Sequence, residues 1–178
     1  KYPEVESATL VDLDPAMTAL SQSFPPLGEL NRHAYEDPRV TVVNQDAMIW
    51  LESIDETFDV IIIDFPDPNS FALGKLYTRQ FYRLLKRHLA PQGAVGIQCT
   101  SPLFARKSFW CIQHTMRAAG LSTHPYQVAV PSFGLWGFGL AKHHDFPPPT
   151  TLPADVAFRY LNPQVLKGLF VIPEDVAP

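Results

Sequence analysis

The sequence predicts an α/β fold: a doubly wound, mostly parallel sheet that ends in an antiparallel hairpin. Three observations predict it. Strand-like and helix-like segments alternate along the 178 residues in the order β-α-β-α-β-α-β-α-β-β, which gives a parallel sheet covered by helices. Phe58-Asp59-Val60-Ile61-Ile62-Ile63-Asp64 is a near-continuous apolar run, the pattern of a strand buried on both faces. Leu76, Tyr77, Phe81, Leu84, Leu85 and Leu89 recur at helical spacing, with Lys75, Arg79, Arg83, Lys86 and Arg87 on the other side. That basic side reads as a solvated helix face, with an anionic lipid surface or a partner as the second reading.

Each element has a local reason. The alternation from Ala8 to Leu13 predicts a strand over 8–13. Asp14 is an N-cap and Pro15 fits the first helical position, so a helix follows over 16–24. Pro25-Pro26-Leu27-Gly28 is expected to stop it. Asp37-Pro38 turns the chain into a strand over 40–43. Asp46 caps a short helix that runs to Ile54. After the strand over 58–64 comes the helix over 75–89, and Pro91-Gln92-Gly93 is expected to turn the chain into a strand over 94–99. A helix over 105–119 is closed by Gly120. Strands over 124–130 and 135–143 form the hairpin, joined by Pro131-Ser132-Phe133-Gly134. Trp136 and Phe138 read as sheet-packing aromatics or as a pocket wall. The domain is expected to span 1–145. Residues 146–178 are a Pro-rich extension in which Asn162-Pro163 restarts a short helix over 164–170 that packs back on it.

Composition narrows the function. Hydrophobic residues are 46% and charged residues 18%, enough for a packed core, which excludes a disordered chain. A net charge of −4 and a pI near 5.8 speak against nucleic acid as a partner. No apolar run reaches the ~18 residues of a spanning helix, and Lys1-Tyr2-Pro3-Glu4 does not read as a signal peptide. Cys99 and Cys111 are too few for a disulfide framework and lack zinc-site spacing; they read as two buried thiols in a reducing compartment. The histidines show no paired metal-ligand spacing, so no metal site is expected. Ser101 lacks a nucleophile elbow, which disfavours hydrolase chemistry. The 18 prolines punctuate the elements.

In open α/β sheets ligands bind beyond the carboxyl ends of the strands. Those ends read Asp12-Leu13-Asp14, Asn44-Gln45-Asp46, Asp64-Phe65-Pro66-Asp67-Pro68 and Gln98-Cys99-Thr100-Ser101. Three carry acids and none supplies a lysine or arginine, a composition suited to a cationic ligand. Asp12 is a ribose-contact candidate or a surface acid. Asp14 is a helix cap. Asp46 is a cap, with or without a ligand contact. Asp64 follows four apolar residues, where a carboxylate needs a partner or a task. Asp67 is a functional acid or the turn residue between two prolines.

Val11-Asp12-Leu13-Asp14-Pro15, then Gln45-Asp46-Ala47, then the run from Phe58 to Asp64 with Phe65-Pro66-Asp67-Pro68, resemble successive motifs of the spermidine synthases (polyamine aminopropyltransferases). Phe81-Tyr82, Leu89-Ala90-Pro91-Gln92-Gly93 and Gln98 continue the match in order. Val130-Pro131-Ser132-Phe133-Gly134 with Trp136-Gly137-Phe138 resembles the multi-pass, membrane-anchored bacterial branch. The resemblance implies a Rossmann-like fold of the S-adenosylmethionine-methyltransferase type. It implies transfer of an aminopropyl group from decarboxylated S-adenosylmethionine, a co-substrate, to an amine such as putrescine, with no prosthetic group. By the same resemblance Asp64 orients and deprotonates the attacking amine, Asp67 holds an amino group, and Gln98 lies at the amine channel. Phe133 stands where a tyrosine is usual. Asp12, in place of the usual Glu, meets the ribose hydroxyls, and Asp46 with Ala47 meets the adenine.

The family's glycine-rich acid loop and its small N-terminal β-domain have no counterpart in these residues. The chain therefore resembles a C-terminal fragment lacking the first βα unit and expected to be inactive alone. Either the strand over 8–13 pairs directly with the strand over 58–64, or another chain fills the gap. The resemblance implies a cytoplasmic domain. It leaves room for a homodimer and for a full-length protein anchored in the inner membrane with this domain facing the cytoplasm. Two rival functions share these features: an S-adenosylmethionine-dependent methyltransferase and a non-enzymatic polyamine-binding regulatory domain.

Overall fold

In the computed structural model, which describes residues 2–178, strand β1 (Ala8–Asp12) runs directly into the helix start its sequence signals. Asp14 caps helix α1 (Pro15–Ser23) by accepting from the Ala16 amide at 2.8 Å, with Pro15 in the first turn. The expected stop at Pro25-Pro26 is instead a second start. Phe24 breaks α1 in extended backbone, and the prolines open helix α2 (Pro25–Asn31). Proline suits a first turn because its missing N–H has no acceptor there. Arg32 and His33, at φ 57° and 55°, then reverse the chain. Strand β2 (Val40–Asn44) pairs in parallel with β1, from Ala8↔Val40 to Asp12↔Asn44. Helix α3 (Ala47–Ser53) follows its Asp46 cap. These elements make up the first of two units, Lys1–Ile54; the second is Asp55–Pro178.

The second unit is built on a four-stranded sheet. Strand β3 (Phe58–Ile63) leads to a short helix α4 (Phe71–Gly74), a 3-10 turn at Lys75–Tyr77 and helix α5 (Arg79–Arg87). The helix expected over 75–89 is thus interrupted, because Thr78 caps α5 by accepting from the Phe81 amide at 3.2 Å. Strand β4 (Leu89–Gln98) begins before Pro91, so Pro91-Gln92-Gly93 lies inside the strand. The β3–β4 register jumps there, Phe58↔Leu89 giving way to Val60↔Ala94. A Cβ on Gly93 would lie 2.6 Å from Leu89 Cδ1 and 3.0 Å from the Asp59 carbonyl, so the irregularity needs a glycine. Helix α6 (Arg106–Ala118) ends at Gly120, φ +91°. Strands β5 (Ser122–Val130) and β6 (Gly134–Lys142) form the hairpin, and β6 inserts antiparallel beside β4, giving the order β3-β4-β6-β5.

The core of this unit lies where α5 and α6 pack: Phe81, Tyr82, Leu85, Val95, Ile97, Phe109 and Met116 are buried. Burial of each such side chain is worth roughly 1.5–3 kcal/mol. In the C-terminal extension, helix α7 (Pro163–Leu169) precedes Phe170, whose ring lies 5.4 Å from Tyr126. Farther on, the Val176 carbonyl accepts from Trp110 Nε1 at 2.8 Å.

Three expectations are corrected. Only one face of β3 is covered: Ile63 is buried, while Val60 and Ile62 are 66% and 80% exposed. β3 is the edge of its sheet and side chains alternate between faces, so Ile63 meets the core and its neighbours do not. β1 pairs with β2 and β3 with β4, in separate sheets, so of the two alternatives for residues 8–13 direct pairing with 58–64 is not the one made. Cys99 is buried but Cys111 is exposed. On α6, residues Phe109, Ile112, Gln113 and Met116 face inward, which turns Cys111 outward.

Candidate active site

In the first unit the carboxylates are engaged by nearby backbone. Asp12 Oδ1 accepts from the Asp14 amide at 2.7 Å, which fixes the turn after β1. Asp46 Oδ1 accepts from the Met48 and Ile49 amides at 3.0 and 3.3 Å, and Ala47 is the first residue of α3. The β2 end is tied to the β1 end by Asn44 Nδ2, which donates to the Asp12 carbonyl at 3.2 Å.

In the second unit Asp64 follows β3 directly and its side chain is exposed. Among the described residues no salt bridge reaches it. Asp67 is half-buried and both its oxygens are held. Gln98 Nε2 donates to Oδ1 at 3.1 Å, and Thr100 Oγ1 donates to Oδ2 at 3.0 Å. The same Gln98 accepts from the Thr100 amide through Oε1 at 2.8 Å. Tyr77 steadies the segment between the two acids, donating to the Pro66 carbonyl at 3.0 Å. Burial, then the negative charges of Asp67 and Asp64, push the Tyr77 hydroxyl well above the usual phenol range, so it stays a donor. Phe133 sits in the β5–β6 turn, 62% exposed, its ring 5.2 Å from Trp136. Two surface hollows, of about 470 and 360 Å³, open along α6; Pro68 and Tyr77 border the smaller one, and neither is lined by Asp64 or Asp67.

The structure therefore brings Asp67 and Gln98 together and adds two residues that the sequence does not single out. In the sequence Tyr77 reads only as part of an apolar helix face. Thr100 reads in the sequence only as one of four residues at a strand end; its backbone is left-handed, at φ +64°, so alternation along an extended segment gives no signal for it. Chemically, an exposed carboxylate three residues from a clamped one, with no salt bridge to either among the described residues, can attract and orient an ammonium group.

Residues 1–150 match the spermine/spermidine synthase domain. The chain belongs to this family. Among curated relatives it is 52% identical to polyamine aminopropyltransferase 2 of Ralstonia nicotianae over 99% of its own length and 34% of that protein's. It is 48% identical to polyamine aminopropyltransferase 1 of Streptomyces coelicolor over 98% of its length and 33% of that protein's. The chain thus spans about a third of these relatives. Its fold matches the crystal structure of spermidine synthase from Thermotoga maritima with a TM-score of 0.83 at 22% identity, covering 98% of this chain and 60% of that one. A spermidine synthase in complex with the transition-state analogue AdoDATO matches equally, with a TM-score of 0.83 at 24% identity over 98% of this chain and 61% of that one. These likenesses bear out the methyltransferase-like α/β fold of the family, with its antiparallel hairpin.

Proposed function

We propose that the full-length protein is an aminopropyltransferase that moves an aminopropyl group from decarboxylated S-adenosylmethionine to an amine such as putrescine. The observation that carries this reading is an exposed Asp64 carboxylate three residues before a clamped Asp67. An alkyl ammonium has a pKa near ~10.4, so the acceptor arrives charged and must lose a proton before its nitrogen attacks. Asp67 holds one amino group of the acceptor. Asp64 orients the other and takes its proton. The nitrogen lone pair then forms a bond to the aminopropyl carbon, the C–S bond breaks, and its electrons neutralise the sulfonium. Gln98 and Phe133 line the amine path, Asp12 meets the ribose hydroxyls, and Asp46 with Ala47 meets the adenine; motif resemblance supports these four assignments.

The relatives' length supports a second part of the proposal. This chain is the C-terminal portion of a longer protein and is inactive without the rest. Among the described residues no helix is long and apolar enough to cross a membrane. Anchoring of the full-length protein in the inner membrane, with this domain on the cytoplasmic side, rests on the motif resemblance around Phe133. Fractionation of the full-length protein with and without detergent tests it, and so does its sedimentation for a homodimer.

The deciding assay uses the full-length protein with decarboxylated and with ordinary S-adenosylmethionine. Aminopropyl transfer to putrescine, and tighter calorimetric binding of the decarboxylated form, are expected. Asp64→Asn should lower kcat by about 10²–10⁴-fold, the range for losing a positioned base. Preference for the carboxylated form, or methyl transfer, would favour the methyltransferase reading. Polyamine binding without transfer would favour a regulatory domain.

A further inference from the structure

We propose that Thr100 is a positioning residue for the acceptor amine: it aims the Asp67 carboxylate, and its left-handed backbone is retained for that purpose. The proposal rests on the aminopropyltransferase reading and deepens it.

Thr100 has φ +64° and is 3% exposed. A β-branched residue in that region is a steric outlier, which persists only where the surroundings over-determine it. Here they do. The Thr100 amide donates to Gln98 Oε1 at 2.8 Å. Its carbonyl accepts from the Gly137 amide at 2.7 Å, while the Gly137 carbonyl accepts from Cys99 at 2.9 Å. A Cβ on Gly137 would lie 2.7 Å from the Thr100 carbonyl and 2.5 Å from the Phe109 ring, so only glycine admits this approach. The reversal at Thr100 leaves its hydroxyl 3.0 Å from Asp67 Oδ2, opposite Gln98 on Oδ1.

This clamp has a specific chemical character. Both donors are neutral, so Asp67 is oriented without losing its negative charge to an internal cation. A carboxylate offers about four lone-pair sites and the clamp occupies two, which leaves two for an ammonium. A lysine or arginine in the place of Thr100 would hold the carboxylate as firmly and cancel its attraction for a cationic amine.

The test compares Thr100→Val, Thr100→Ser and Thr100→Ala in the full-length protein. Valine keeps the β-branch, and with it the backbone strain, and removes only the hydroxyl. Expected is a rise of about tenfold in KM for putrescine, the size of one hydrogen bond to a charged group. kcat and KM for decarboxylated S-adenosylmethionine should stay within about twofold, and Thr100→Ser should restore wild-type KM. In an Asp67→Asn background Thr100→Val should add nothing. Carboxyl-carbon NMR supplies a readout independent of turnover. In Thr100→Val and Thr100→Ala the Asp67 carboxyl resonance should move from its wild-type position, since the donor to Oδ2 is lost, and in Thr100→Ser it should not. A rise in putrescine KM that persists in the Asp67→Asn background, a serine variant that behaves like valine, or an unmoved Asp67 resonance would overturn the proposal. If wild type transfers no aminopropyl group yet the resonance moves, the clamp stands and the functional reading fails.

Discussion

The two units use their carboxylates in opposite ways. In the first, each hydrogen bond described above for Asp12, Asp14 and Asp46 comes from an amide two or three residues ahead, and Asp37 pairs with Arg39 two residues on. In the second, the donors to Asp67 stand 31 and 33 residues away, and no salt bridge among the described residues reaches Asp64. A carboxylate oxygen satisfied by its own turn fixes that turn, whatever the second oxygen meets. One satisfied only after distant strands assemble is held in a set direction by the finished fold, and that is what recognition of a ligand requires. The apolar residues divide the same way. Leu51 is the only apolar side chain of residues 2–54 that is buried, and Leu13 and Leu30 are 71% and 79% exposed. The second unit buries whole faces of α5 and α6.

Stability measurements on this chain test the contrast in burial most directly. Phe81→Ala should cost about 3–5 kcal/mol in urea unfolding, because Phe81 is 0% exposed and its loss leaves a cavity. Leu30→Ala should stay within about 0.5 kcal/mol of wild type. Equal costs would mean that the first unit has packing not seen in its exposures.

The same division explains what could be read in advance. The βα alternation was legible because each helix start rests on contiguous residues, such as Asp14-Pro15 or Asn162-Pro163. Two boundaries were misread because one signal serves two purposes. Proline both ends and begins helices, so Pro25 could not be assigned alone. Proline and glycine mark both turns and strand irregularities, so the sequence places the start of β4 at residue 94 instead of Leu89. The open face of β3 was not legible, since an apolar run records what a strand can bury and not what lies against it. The Asp67 clamp was half legible. Gln98 came with the motif, but Thr100 depends on Gly137 approaching from another strand, a contact that no local pattern encodes.

A smaller effect tests the capping role of Asp14. Asp14→Ala should cost about 1 kcal/mol through the lost cap on α1, and Asp14→Asn much less. Hydrogen exchange should show the loss in the amides of α1 before any other helix. A loss spread evenly through both units would indicate that Asp14 supports more than its own turn.

The smallest expected effect concerns Asp37. Arg39 donates to both its carboxylate oxygens, at 3.0 and 2.7 Å, and these bonds lower its pKa from an ordinary value of 3.8 to about 2. A carboxylate whose pKa falls on folding favours the folded state above its unfolded pKa. That contribution fades as pH drops toward the folded value. The Asp37 share should therefore be complete above about pH 4 and gone near pH 2. The pair is solvated, so salt should weaken it at every pH. Exchange rates of the β1 and β2 amides, followed from pH 5 to pH 2 in wild type and Asp37→Asn, check this. The two curves should separate above pH 4 and converge at the acid end. Curves that stay parallel would mean that the Arg39 bridge holds the turn before β2 by geometry, through the Val5 carbonyl it also reaches at 2.9 Å, rather than by charge.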